Sequence, residues 1–253
     1  DGTDISTGKP FLGTMRAPEG STVVTPLTTL VAAIADTGVS VEQASDLVLS
    51  GLGLPTGVNI SSFDPIAATV SSDPTVQAQG AAAIAAAIQV QNTIVQAASV
   101  LEGAGGNFAS ANVAVTAAVA AQILIATEPL NLADSSLIST VLEDSSDLLA
   151  DLLANLPEPN NFDANLVSAV AGGATEVITA SNALIGSFLT PSDPETTPPL
   201  SGVELLKALA QVSSVAQDST ASLADAASTG DASSVVANFT DEALTLAVVA
   251  AGE

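Results

Sequence analysis

Three dipeptides, Thr25-Pro26, Asp64-Pro65 and Asp73-Pro74, constrain this chain more than any other feature. Each sets an oxygen-bearing capping side chain directly before a proline. At the first helical position the missing N–H of proline is no loss, and its fixed φ is already helical. Ser40-Val41-Glu42-Gln43 adds a capping box, in which Ser40 accepts from the N3 amide and Gln43 reaches back. Thr28 and Thr29, close behind Thr25, fall in the first helical turn, where their hydroxyls bond back to the backbone.

From these starts, helices are expected at about 26–37, 41–51, 65–71, 74–103, 110–126, 135–155, 164–190, 201–228 and 240–250. Their stops are read at Gly38, Gly51, the GAGG of 103–106, Pro129, Pro157, Pro191 and Gly230. Four phenylalanines sit at helix starts: Phe63, Phe108, Phe162 and Phe239. The spacings from Phe162 to Val167 and from Phe239 to Leu244 fit hydrophobic staples. The long segment at 74–103 carries AAAIAAAI, whose small side chains admit close neighbours, so it is expected at the centre of a bundle. PSDPETTPPLSG, 191–202, reads as a surface loop or linker, without a domain boundary.

Residues 1–24 differ in kind. Gly2, Gly8, Gly13 and Gly20, with Pro10 and Pro18, break them into short pieces such as FLGTMRA and STVV. They are expected to form an extended arm or the end of a β module, belonging with an upstream domain or a neighbouring copy. Residues 25–253 are expected to form the α-helical domain. The chain opens on DGTDISTGKP, with neither a basic start nor an apolar run, and reads as a fragment or a processed product.

Composition narrows the function. Twenty-seven acidic residues face three basic ones, Lys9, Arg16 and Lys207, for a net charge of -24. Such a chain repels nucleic acid and anionic membranes and cannot rely on ion pairs. Its apolar content of 47% nevertheless allows a sizeable core. The run ANVAVTAAVAAQILIA, 111–126, falls short of the ~20 strongly apolar residues of a membrane span and is read as a buried helix. With no Cys, His, Trp or Tyr, the usual transition-metal ligand sets and most nucleophile and general-base arrangements are missing. No catalytic, cofactor-binding or metal-ligating residue is assigned, and no enzyme activity is expected.

The densest acidic group is Glu143, Asp144, Asp147 and Asp151, of which the last three share one helix face. Calcium is the cation whose oxygen chemistry such a stripe could meet. A solvated face opposite Leu148, Leu149, Leu152 and Leu153 is the better account, since one straight helix rarely supplies six to eight oxygens. GAGG lacks the lysine of a phosphate-binding loop and reads as a helix end. Asn59-Ile60-Ser61 and Asn238-Phe239-Thr240 match the N-glycosylation pattern, which is common by chance.

The start D-x-S-T-G-x-P, the run A-P-x-G-S-T-V-V-T-P-L-T-T-L, the turn L-G-L-P and the start F-D-P-I-A-A, all within residues 2–68, carry a resemblance. They resemble the junction in very large bacterial secreted or surface proteins where a small β domain, SdrD B-like or carboxypeptidase-regulatory-like, passes into a helical module. RTX, cadherin-like or Ig-like repeats often occur elsewhere in such proteins. The resemblance implies an extracellular or cell-surface setting, a scaffold or adhesive role and calcium nearby in the parent protein. It carries no ligand or catalytic residue onto this chain.

The sequence thus reads as an all-α bundle of about eight helices behind an extended or β arm. Its expected role is a non-enzymatic structural or adhesive module that self-associates into a filament or layer. Its partners would be copies of itself or neighbouring domains, without nucleic acid or a membrane span. The alternative is a binding module holding an apolar ligand or Ca2+ within the bundle.

Overall fold

The computed structural model describes residues 7–155, 161–191 and 198–252. Ten helices follow one another among them: α1 (Pro26–Ala35), α2 (Val41–Gly51), α3 (Pro65–Thr69), α4 (Pro74–Gly103), α5 (Phe108–Ile125), α6 (Ser135–Ala154), α7 (Ala164–Leu189), α8 (Gly202–Thr229), α9 (Ser233–Phe239) and α10 (Asp241–Ala250). No strand occurs among the described residues, whose regular elements are all helical, and the described part of the arm carries only an isolated bridge at Pro10.

The caps explain most of these starts. Asp64 Oδ1 accepts from the Ile66 and Ala67 amides at 3.0 Å each. Asp73 Oδ1 accepts from Thr75 at 2.8 Å and Val76 at 3.3 Å. The reciprocal box stands at Thr25, not at Ser40. Thr28 N donates to Thr25 Oγ1 at 3.1 Å while Thr25 N donates to Thr28 Oγ1 at 2.8 Å. At Ser40 the Gln43 amide bond forms at 3.2 Å, without a return bond to the cap backbone. A short threonine held in place by the arm does what a flexible exposed glutamine does not.

Two other expectations change. Phe108 is the first residue of α5, whose cap is Asn107, accepting from Ala109 at 3.0 Å and Ser110 at 3.3 Å. The expected end of α2 at Gly51 stands, and the left-handed turn that follows it comes at Gly53, φ +62°. There the Leu54 amide closes on the Leu49 carbonyl at 2.8 Å. Helix α9 was not expected at all. It is one short segment between Gly230 and Thr240, and it runs into α10 with no glycine or proline between them. The expected stop at Pro157 and half of the 191–202 loop, residues 192–197, lie outside the described residues.

Helix α4 is central, as its small side chains imply, packing against α1, α3, α5, α6, α7 and α8. A Cβ added at Gly80 would come within 2.3 Å of the Thr69 backbone nitrogen, and one at Gly103 within 2.0 Å of the Ala224 carbonyl oxygen. These glycines let α3 and α8 approach their backbones. Helices α5, α6, α7 and α8 pack successively around this axis, with α1 and α2 against α5 and with α9 and α10 against α7 and α8. Both α4 and α5 are long and apolar enough to cross a membrane by composition, and 72% and 50% of their most apolar windows are buried within the bundle.

Two apolar clusters result. The larger runs from Leu30 and Ile34 through Ile94, Ile138 and Leu142 to Ile178. The smaller gathers Ile185, Leu205, Leu209 and Leu244, and Phe239 packs against both. Polar side chains on α4 pin helices across the core. Thr93 Oγ1 accepts from Asn182 Nδ2 at 2.9 Å, which also donates to the Leu132 carbonyl at 2.8 Å. Gln96 Nε2 donates to Ser219 Oγ at 2.9 Å. Such buried bonds fix register among alanine-rich faces that would otherwise slide.

Candidate functional site

The arm is fastened along its own bundle. Its backbone carries most of the ties, through groups that every residue possesses. Arg16 N donates to Thr29 Oγ1 at 3.0 Å, and the Arg16 carbonyl lies 2.9 Å from Thr28 Oγ1 and 3.2 Å from Thr29 Oγ1. Gln91 Nε2 of α4 donates to the Leu12 carbonyl at 2.8 Å, and Thr22 N donates to the Ser61 carbonyl at 2.8 Å. Thr28 and Thr29 are buried, at 0% and 4% exposure. The hydroxyls that cap α1 therefore also hold the arm.

Two of the three basic residues act at the same junction. Lys9 Nζ reaches α8, 2.6 Å from Asp218 Oδ1 and 2.9 Å from the Ser214 carbonyl. Arg16 meets Asp36 at the end of α1, at 2.7 Å. Arg16–Asp36 is exposed on both sides and Lys9 is half-buried against an exposed Asp218, so each pair contributes little, about 0–1 kcal/mol. Gly13, φ +95°, lets the arm turn beside Asn112, whose Nδ2 would lie 2.7 Å from an added Cβ.

Beneath the arm lies an apolar cavity of about 670 Å³. Phe11, Leu12 and Met15 of the arm form one wall, and Ile84, Ile88 and Val95 of α4 form the floor. The start of α3 closes one side with Pro65 and Ile66, and α8 closes another with Ser213 and Gln217. Asp64 is the acidic residue of the lining, and both of its α3 cap bonds are made by one of its oxygens. Asn92 of α4 lines the cavity at 2% exposure. Its Nδ2 has no hydrogen-bond partner, and neither has Gln217 Oε1.

The acidic stripe is arranged differently from a metal site. Asp144 Oδ2 accepts from Gln122 Nε2 of α5 at 2.9 Å, while Glu143, Asp147 and Asp151 are exposed. Among the described residues no group of three or more carboxylates is placed to hold a metal ion. The leucines divide: Leu149 and Leu153 are buried, whereas Leu148 and Leu152 are each 40% exposed beside the carboxylates. The expected face of four leucines is therefore two buried leucines wide.

Two exposed aspartates have depressed pKa values. Asp134, the cap of α6, is held below the ordinary carboxylate range chiefly by the Ser136 hydroxyl, then by the Leu137 and Ser136 amides. Asp231 is lowered by the Ser233 hydroxyl and amide. Both shifts arise from local bonds at helix starts, Asp134 as the cap of α6 and Asp231 one residue before Ala232, the cap of α9.

The cavity was not expected from the sequence. Its walls come from the arm, α3, α4 and α8, and the only local signal was the polar run QVQN at 89–92 inside an alanine-rich helix. No protein family, curated protein or solved structure compared with this chain matches it.

Proposed function

We propose that this chain is a non-enzymatic structural or adhesive module of a bacterial extracellular surface protein, in which the arm leads from a preceding β domain into the helical bundle. The observation that carries the proposal is the fastening of the arm. Leu12, Arg16 and Thr22 are tied through their backbones to α4, α1 and the segment before α3. A pull on the arm is thereby shared among several helices, as a load-bearing junction requires. The resemblance of residues 2–68 to such junctions supports the same reading, as does the net charge of -24, which suits a saline or calcium-rich medium.

Self-association into a filament or layer is part of the proposal, because multivalent cations relieve the repulsion between copies this acidic. Sedimentation velocity and electron microscopy of the purified chain, with and without millimolar calcium, test it. The expected result is a calcium-dependent shift to larger assemblies. A strictly monomeric chain in both conditions overturns the assembly part.

A further inference from the structure

We infer that the exposed side of α5 is a contact surface for a second copy of this chain, the two α5 helices lying antiparallel across a two-fold axis at Ala117. This rests on the self-association part of the reading above and names the surface that carries it. A helix that is apolar all round is ordinarily buried, whereas a surface helix turns charged or polar residues outward. Helix α5 does neither. It contains no charged residue, in a chain with 27 acidic ones, and its five exposed residues are Ala109, Val113, Ala117, Ala121 and Ile125. Val113 is 53% exposed and Ile125 73%, the highest value for a large apolar side chain among the described residues. Leu148 and Leu152 of α6, which packs alongside α5, are exposed as well.

The spacing points to the occupant. The five residues recur at every fourth position and form one row along the helix, and rows of this kind interlock when two helices pack. A two-fold axis requires such a surface to be complementary to itself. Reversed about Ala117, the row sets Val113 of one copy against Ala121 of the other and Ile125 against Ala109, so that each bulky side chain meets a methyl group. Charge agrees with this choice. The net charge of -24 repels an anionic membrane, while a second α5 brings no charge to the contact. The exposed carboxylates of Glu143, Asp147 and Asp151 on α6 still oppose the approach of two copies, so the contact should tighten as salt screens them. With 18 residues α5 is about 27 Å long, and one helix face falls short of the ~800 Å² per partner of a stable complex. The contact is therefore weak for a pair and gains from many copies held side by side.

The chain has no cysteine, so a single introduced thiol reports its neighbour. Under mild oxidation Ala117→Cys is expected to form a disulfide-linked dimer at least ~10-fold faster than Ser168→Cys, an exposed position on α7, because the axis holds the two thiols together. Sedimentation equilibrium of the parent chain at high protein concentration should show a dimer that Ala117→Glu removes, with circular dichroism unchanged. Ala117→Cys, a nearly isosteric change, carries the test alone if Ala117→Glu does not fold. A parent chain that stays monomeric in high salt and in calcium overturns both this inference and the assembly reading. A dimer that persists in Ala117→Glu, or equal oxidation rates at the two thiols, overturns the inference alone. Binding to phosphatidylcholine vesicles by the parent chain and not by Ala117→Glu, without a dimer, would give the face to a membrane and overturn it likewise.

Discussion

At the scale of single residues, Thr28 and Thr29 show how one hydroxyl serves two structures. Each lies against the Thr25 carbonyl of its own first turn and against the Arg16 carbonyl of the arm. Asp134 shows a cap acting through charge. Because its pKa is lowered by folding, its contribution is present above the unfolded value of about 3.9 and is lost as pH falls through the folded value. Asp134→Asn should therefore lose less stability than the parent chain between about pH 5 and pH 2. Urea unfolding at a series of pH values checks this, and parallel pH profiles for the two proteins would contradict it. The cap at Asp134 was not singled out beforehand, although the expected start of its helix at 135 was correct.

At the scale of elements, glycines separate helix propensity from packing. An interior helical Gly→Ala change ordinarily stabilises by about 0.5–1 kcal/mol. Gly172 of α7 has open space around it, so Gly172→Ala should show that gain. Gly103→Ala should reverse it, because the new methyl would meet the Ala224 backbone of α8, and overpacking costs about 1–3 kcal/mol. Thermal unfolding followed by far-ultraviolet circular dichroism distinguishes them, and a stabilising Gly103→Ala would refute the close approach of α4 and α8. Helix starts were legible wherever an Asp or Thr precedes proline, since cap and fixed φ act within a few residues. The end of α5 was read to within one residue, at 126 against Ile125, whereas its start at Phe108 and the presence of α9 were not legible in the same way. Ala126 ends α5 in an extended conformation without a glycine, and the Thr240 hydroxyl bonds back to the Val236 carbonyl at 2.7 Å where a cap for α10 was expected.

At the scale of the whole molecule, the charge of -24 opposes compaction and the apolar interior of α4 and its neighbours offsets it. Raising ionic strength from about 0.01 M to 1 M shortens the screening length from about 30 Å to 3 Å, so the melting temperature at neutral pH should rise by several degrees. A salt-independent melting curve would show that self-repulsion is negligible. The central place of α4 could be read from its small residues, because close approach demands them. The fastening of the arm could not, because Leu12, Arg16 and Thr22 are held through backbone groups that leave no sequence pattern, and the cavity combines segments more than 200 residues apart, from Phe11 to Gln217. The docked arm is the element on which both the junction and the pocket depend. Hydrogen exchange at the Arg16 and Thr22 amides tests it most directly. Exchange at least ~100-fold slower than in an unstructured peptide is predicted at both, with Arg16 released in Thr29→Val. Free-peptide rates at both amides in the parent chain would contradict the account.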